Sequence, residues 1–131
     1  MILGQGAAGT VKVYNSSRFG PIARKMLVIK GCYEREKYFL AMCQSRKSEP
    51  LFKFIINSVS WYHKSDTLFI IDFELAATDL HRAAINVNDV PTGCTQWFPD
   101  GDSFDRAITD TLSGLMFPHE HVNIYHSDIK P

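Results

Sequence analysis

Residues 10–14, T-V-K-V-Y, alternate between inward and outward positions and are β-branched, so they read as a strand. A second strand is expected over residues 22–29, and the intervening 15–21 is turn-like. Gly31 breaks that run. Residues 33–44 then shift to helical spacing and are good helix formers. Two further strands are expected over 52–61 and 67–73, joined by the polar turn 62–66. The first half is therefore strand-rich, with one helix inserted.

The second half changes character. Residues 78–85 fit a short helix, and 86–102, rich in Pro, Gly and Asp, fit an irregular loop. Ser103 is placed to cap a helix N-terminus. Phe104, Ala107, Ile108, Leu112, Leu115 and Met116 follow at helical spacing and predict an amphipathic helix. Pro118 should end it, and 123–131 reads as a short extended piece. The pattern predicts an α+β fold with no internal repeat.

Composition narrows the class. Apolar residues make up 45% and charged residues 21% of the 131-residue chain, as in ordinary globular proteins. The formal net charge of zero gives no field that would draw nucleic acid or an acidic membrane. Cys32, Cys43 and Cys94 are odd in number and carry no C-x-x-C spacing, which suggests neither a disulfide framework nor zinc. No stretch is long and apolar enough for a signal peptide or a membrane helix. An intracellular, cytoplasmic setting is the expectation, with no membrane partner. His119, His121 and His126, with Glu120 among them, match no standard zinc spacing.

Candidate chemistry starts at Gly4 to Val11, G-Q-G-A-A-G-T-V. The G-x-G-x-x-G pattern is shared with dinucleotide-binding folds, but those need a helix after the glycines. Here a strand-like run follows, so a strand–turn–strand flap is expected, and a ligand-free glycine hairpin is the plain alternative. Glycines in such a flap let backbone amides approach phosphate oxygens. Ile22-Ala23-Arg24-Lys25 comes next, with Lys30 as a competing lysine. Tyr33, Glu36, Leu40 and Cys43 share one helix face, which puts the Glu36 carboxylate on an otherwise apolar stripe. A charge there needs a partner, and Lys25 is the natural one, whereas Glu34 points elsewhere. The strand L-F-I-I-D-F-E-L at 68–75 and the terminal I-Y-H-S-D-I-K-P at 124–131 complete the series.

In this order the motifs resemble those of the protein kinase family, Ser/Thr type: the glycine loop G-x-G-x-x-G-x-V, the V-A-I-K strand, the C-helix glutamate and the catalytic loop H-R-D-L-K-P. The resemblance covers essentially the whole chain. It implies a kinase-like small lobe (1–74), with an antiparallel sheet and a C-helix, then a hinge and the first helices of a large lobe (75–131). It implies ATP as ligand. Leu3, Gly4, Gln5, Gly6, Ala7, Ala8, Gly9, Thr10 and Val11 would cover the nucleotide. Ala23 would lie against adenine, and Lys25 with Glu36 would hold the phosphates. Phe73 would stand behind adenine, with Glu74 and Leu75 offering it backbone groups; a one-residue slip would put Asp72 there instead. Asp79 would meet ribose or cap its helix. Asp128 would accept the substrate hydroxyl proton, and Lys130 would steady the γ-phosphate and favour Ser/Thr protein substrates.

The chain also departs from the family pattern. It ends before the catalytic-loop asparagine and D-F-G, the family's Mg2+ ligands, so an isolated chain is expected to be inactive. The alternative is a kinase-like module that binds or regulates without catalysis. Ser127 replaces the usual arginine, and the first strand is expected to be clipped. The helix from Ser103 would be left with an apolar face suited to association.

Overall fold

A computed structural model describes residues 1–77 and 101–126. They form an α+β arrangement: a five-stranded antiparallel sheet in the order β1-β2-β3-β5-β4, with two α-helices. The strands are β1 (Ile2–Gly6), β2 (Gly9–Ser16), β3 (Gly20–Leu27), β4 (Ser58–Ser65) and β5 (Leu68–Glu74). The helices are α1 (Lys30–Ser45) and α2 (Gly101–Phe117). The chain divides into two compact units, one of Met1–Ser48 with Ile56–Leu75, the other of Glu49–Ile55 with Ala76–Pro131.

In the first unit the turns follow from local chemistry. The β2–β3 hairpin closes over Ser17, Arg18 and Phe19. The Ser16 hydroxyl accepts hydrogen bonds from the Arg18 and Phe19 amides, both at 3.2 Å. Gly20 completes the turn at φ 72°, where a side chain would be strained. At β4–β5, Asp66 and Thr67 suffice, with the Thr67 amide donating to Ser65 Oγ at 3.3 Å. Both turns are shorter than the polar stretches suggested, because the strands run on into them.

The core lies between the sheet and α1. Leu27, Tyr33, Leu40, Phe69 and Ile71 are buried together, with Ala8, Phe39, Trp61 and Phe73 packed against them. Tyr33 anchors the helix: its ring stacks on Phe69 at 5.0 Å and meets the His63 ring edge-on at 5.2 Å. Burial raises the Tyr33 hydroxyl pKa above its ordinary value. Cys32 and Cys43 are free thiols, and Cys43 is buried on the core side of α1.

Two expectations change. Residues 52–61 are not one strand: Pro50–Phe54 forms a 3₁₀ turn and β4 starts only at Ser58. The reason is non-local, since Phe52 and Phe54 are used by α2 in the second unit. The Phe52 ring meets Phe117 at 5.7 Å, and Gly114 lets the helix approach the Phe54 carbonyl closely. Next, α2 begins at Gly101, so Ser103 lies inside the helix and not at its cap, and residues 101 and 102 are helical. The strand β1 pairs with β2, and the Val13 amide donates to Met1 O at 3.0 Å beyond it.

Pro118 ends the α-helical ladder as expected, but the chain continues as a π-turn over Pro118–Val122. Asn123 closes it in the left-handed region at φ 56°, and the Asn123 and Ile124 amides both donate to Pro118 O. On α2, Ile108, Leu112 and Met116 are about half exposed along one stripe. The short helix expected at 78–85, Asp79, and the loop residues up to 100 lie outside the described residues. Among the described residues no helix is long and apolar enough to cross a membrane.

Candidate functional site

Register across the sheet decides which side chains can meet. Val11 is opposite Lys25, which is opposite Ile71; Ala23 is opposite Phe73. Strand alternation puts Val11, Ala23, Lys25, Ile71 and Phe73 on one face, the face covered by α1. Asp72 falls on the other face.

Lys25 and Glu36 meet on the α1 side. Lys25 Nζ donates to both carboxylate oxygens of Glu36, at 2.8 and 2.7 Å. Each side chain keeps about a quarter of its surface exposed, 29% and 25%, so the pair is accessible at one edge. A charge-assisted pair of this length fixes the ammonium firmly. The competing Lys30 is the first residue of α1, exposed and off the strand. Glu34 is also exposed and lies 3.8 Å from both Lys37 and His63.

The glycine segment forms the β1–β2 hairpin, with Gly6 opposite Gly9 and Ala7-Ala8 as its two-residue turn. The tip is tied back by the Val28 amide, which donates to Ala8 O at 3.5 Å. The glycines serve different purposes. A Cβ on Gly9 would collide with the Met26 carbonyl, so strand contact alone demands glycine there. A Cβ on Gly4 or Gly6 would meet nothing within 4 Å. Gln5 and Thr10 are opposite each other and alternate with Val11, so their side chains leave from the other face. From these two, a ligand on the α1 side could use backbone groups only. Leu3 lies on β1, between Ile2 and Gly4.

At the end of β5, Glu74 is committed to Asn57. Its amide donates to Asn57 O at 2.9 Å, and its carboxylate accepts the Asn57 amide at 2.8 Å. Gln44, in the last turn of α1, donates to Asn57 Oδ1 at 3.1 Å. Glu74 could therefore offer a ligand its carbonyl but not its amide; Leu75 follows it, partly exposed. Asp128 and Lys130 lie outside the described residues. Among the described residues no group of His, Cys, Asp and Glu is arranged to hold a metal ion.

Sequence reasoning missed an ionic cluster on the opposite face. Arg24 and Asp72 form a two-point pair, Ser60 Oγ donates to Asp72 Oδ2 at 3.0 Å, and the Tyr14 ring lies 3.7 Å from the guanidinium carbon. Hydrogen bonding to Asp72 raises the Arg24 pKa further above its already high value. The signal was present: Asp72 interrupts an apolar strand, and a buried carboxylate needs a partner. No protein-family model and no curated protein matches the chain.

Proposed function

We propose that the first unit is the nucleotide-binding small lobe of a protein-kinase-like domain, which holds ATP on the α1-facing side of its sheet. The observation that carries this reading is the Lys25–Glu36 pair. It fixes an ammonium group on the same face as Ala23 and Phe73, on the strand next to the glycine hairpin. A fixed lysine of this kind suits the α- and β-phosphates, and its carboxylate partner keeps it extended between ligands. Gly4 and Gly6 add support, because packing within the chain does not require glycine at either position. A backbone that must come close to phosphate oxygens does require it.

In the whole reaction a protein serine or threonine hydroxyl would attack the γ-phosphorus, and the bond to the ADP oxygen would break. Asp128 would accept the hydroxyl proton and Lys130 would steady the γ-phosphate. Those two roles rest on the resemblance of H-S-D-I-K-P to the kinase catalytic loop.

Calorimetric titration of the purified chain with ATP tests the nucleotide reading. Wild type is expected to bind, and Lys25→Met to weaken binding by about tenfold, or ~1.4 kcal/mol. The reading fails if wild type does not bind ATP, or if Lys25→Met binds it equally well.

A further inference from the structure

The last step of the β4–β5 ladder is irregular. Beyond the Ser58–Phe73 pair come Asn57 and Glu74, and the Glu74 amide donates to Asn57 O at 2.9 Å. In a regular antiparallel ladder two such residues exchange both bonds, so the Asn57 amide would return to the Glu74 carbonyl. It goes instead to Glu74 Oε1, at 2.8 Å. The side chain of Glu74 has taken the ladder place of its own carbonyl. Asn57 is also held through its side chain, since Gln44 in the last turn of α1 donates to Asn57 Oδ1 at 3.1 Å.

Burial does not require this exchange. Asn57 and Glu74 are both exposed, so water would serve whichever acceptor the ladder leaves over. What the exchange decides is which acceptor that is. With the carboxylate engaged, the backbone carbonyl is released at the end of β5, one residue past Phe73. The nucleotide reading lays the base against Ala23, which is opposite Phe73. Adjacent strands lie about 4.8 Å apart, so the end of β5 borders that position with no strand between.

We propose that the Glu74 carboxylate is a positioning group for the base: by holding the Asn57 amide, it leaves the Glu74 carbonyl to accept a hydrogen bond from the exocyclic amine of adenine. This rests on the nucleotide reading above and adds the device that selects the base. A base with an oxygen in place of the amine would set acceptor against acceptor and be disfavoured. Without the carboxylate, the Asn57 amide reverts to the carbonyl and the ladder closes regularly.

The experiment measures calorimetric binding of ATP, and of the analogue in which hydrogen replaces the exocyclic amine, to the whole chain as wild type, Glu74→Ala and Glu74→Gln. Wild type is expected to prefer ATP. Glu74→Ala is expected to weaken ATP binding about three- to tenfold and to leave the analogue's affinity unchanged. Glu74→Gln, whose Oε1 still accepts the Asn57 amide, should retain most of the ATP affinity. A merely structural role for Glu74 would move both nucleotides together. Equal loss for both, no loss for either, no rescue by glutamine, or a wild type that binds both equally would overturn the proposal. In each of those cases wild type still binds, and the nucleotide reading stands. If wild type binds neither nucleotide, the nucleotide reading itself fails and this inference falls with it.

Discussion

Arg24 and Asp72 face each other across β3 and β5, joined by hydrogen bonds of 2.8 and 2.9 Å on the sheet face away from α1. Their immediate neighbours in the chain, Lys25 and Phe73, occupy the α1 face. The carboxylate side chain is 4% exposed and the guanidinium side chain 16%, so both charges have left most of their water. Removing one partner strands the other. Asp72→Ala is expected to cost about 3 kcal/mol in urea unfolding, whereas Arg24→Met combined with Asp72→Leu should recover most of that loss. A double variant as unstable as Asp72→Ala alone would show that the pair adds stability beyond compensating its own burial.

The glycine hairpin separates packing from ligand approach. Gly9→Ala forces a methyl group into the Met26 carbonyl and should destabilise the chain by about 1–3 kcal/mol through displaced backbone. Gly4→Ala and Gly6→Ala point their methyl groups into open space and should unfold within about 0.5 kcal/mol of wild type. On the nucleotide reading, those two variants should still bind ATP more weakly. A large stability loss at Gly4 or Gly6 would mean that the fold itself requires them.

What the sequence revealed depends on how local the cause was. Alternation made β2, β3 and β5 readable, because each carries its own inward and outward residues. The Lys25–Glu36 pair was readable because Glu36 sits on an apolar helical stripe, and an acid there must find a cation. The same reasoning reaches Arg24 and Asp72, since an acid within an apolar strand must also find a cation. Phe52 and Phe54 look like strand residues until α2, far along the chain, supplies Phe117 and Gly114 as partners. The bulge at Val59, between Ser58 opposite Phe73 and Ser60 opposite Asp72, was not legible at all. It is a register event between β4 and β5, and nothing in V-S-W-Y-H announces which residue is extra.

Asn123 holds the end of the π-turn in a conformation that β-carbon-bearing residues seldom adopt, at φ 56°. Asparagine tolerates it better than most residues, and glycine better still. Asn123→Gly should therefore leave stability unchanged or slightly raised, and Asn123→Ala should lower it by about 1 kcal/mol. The effect should be local. Amide hydrogen exchange at Ile124, whose N–H donates to Pro118 O at 3.0 Å, should quicken in the alanine variant. Unchanged exchange there would show that the turn does not depend on its cap.

Burial pushes the Cys43 thiol up to about 11, from an ordinary value of 9.0. The folded state therefore keeps its proton after the unfolded chain has begun to lose it. Below pH 9 both states are protonated and the group does not make stability depend on pH. Between pH 9 and 11 the unfolded state binds fewer protons than the folded state, so stability falls as pH rises. The integrated loss is of order 2 kcal/mol, at 1.36 kcal/mol for each pH unit separating the two values. Burial also raises the Tyr33 hydroxyl, so wild type should be compared with Cys43→Ala. The alanine variant should be less stable at neutral pH, having lost a packed side chain that is 1% exposed. The gap between the two proteins should then narrow steadily from pH 9 to pH 11. A gap that stays constant across that window would mean that the thiol ionises as easily in the fold as outside it.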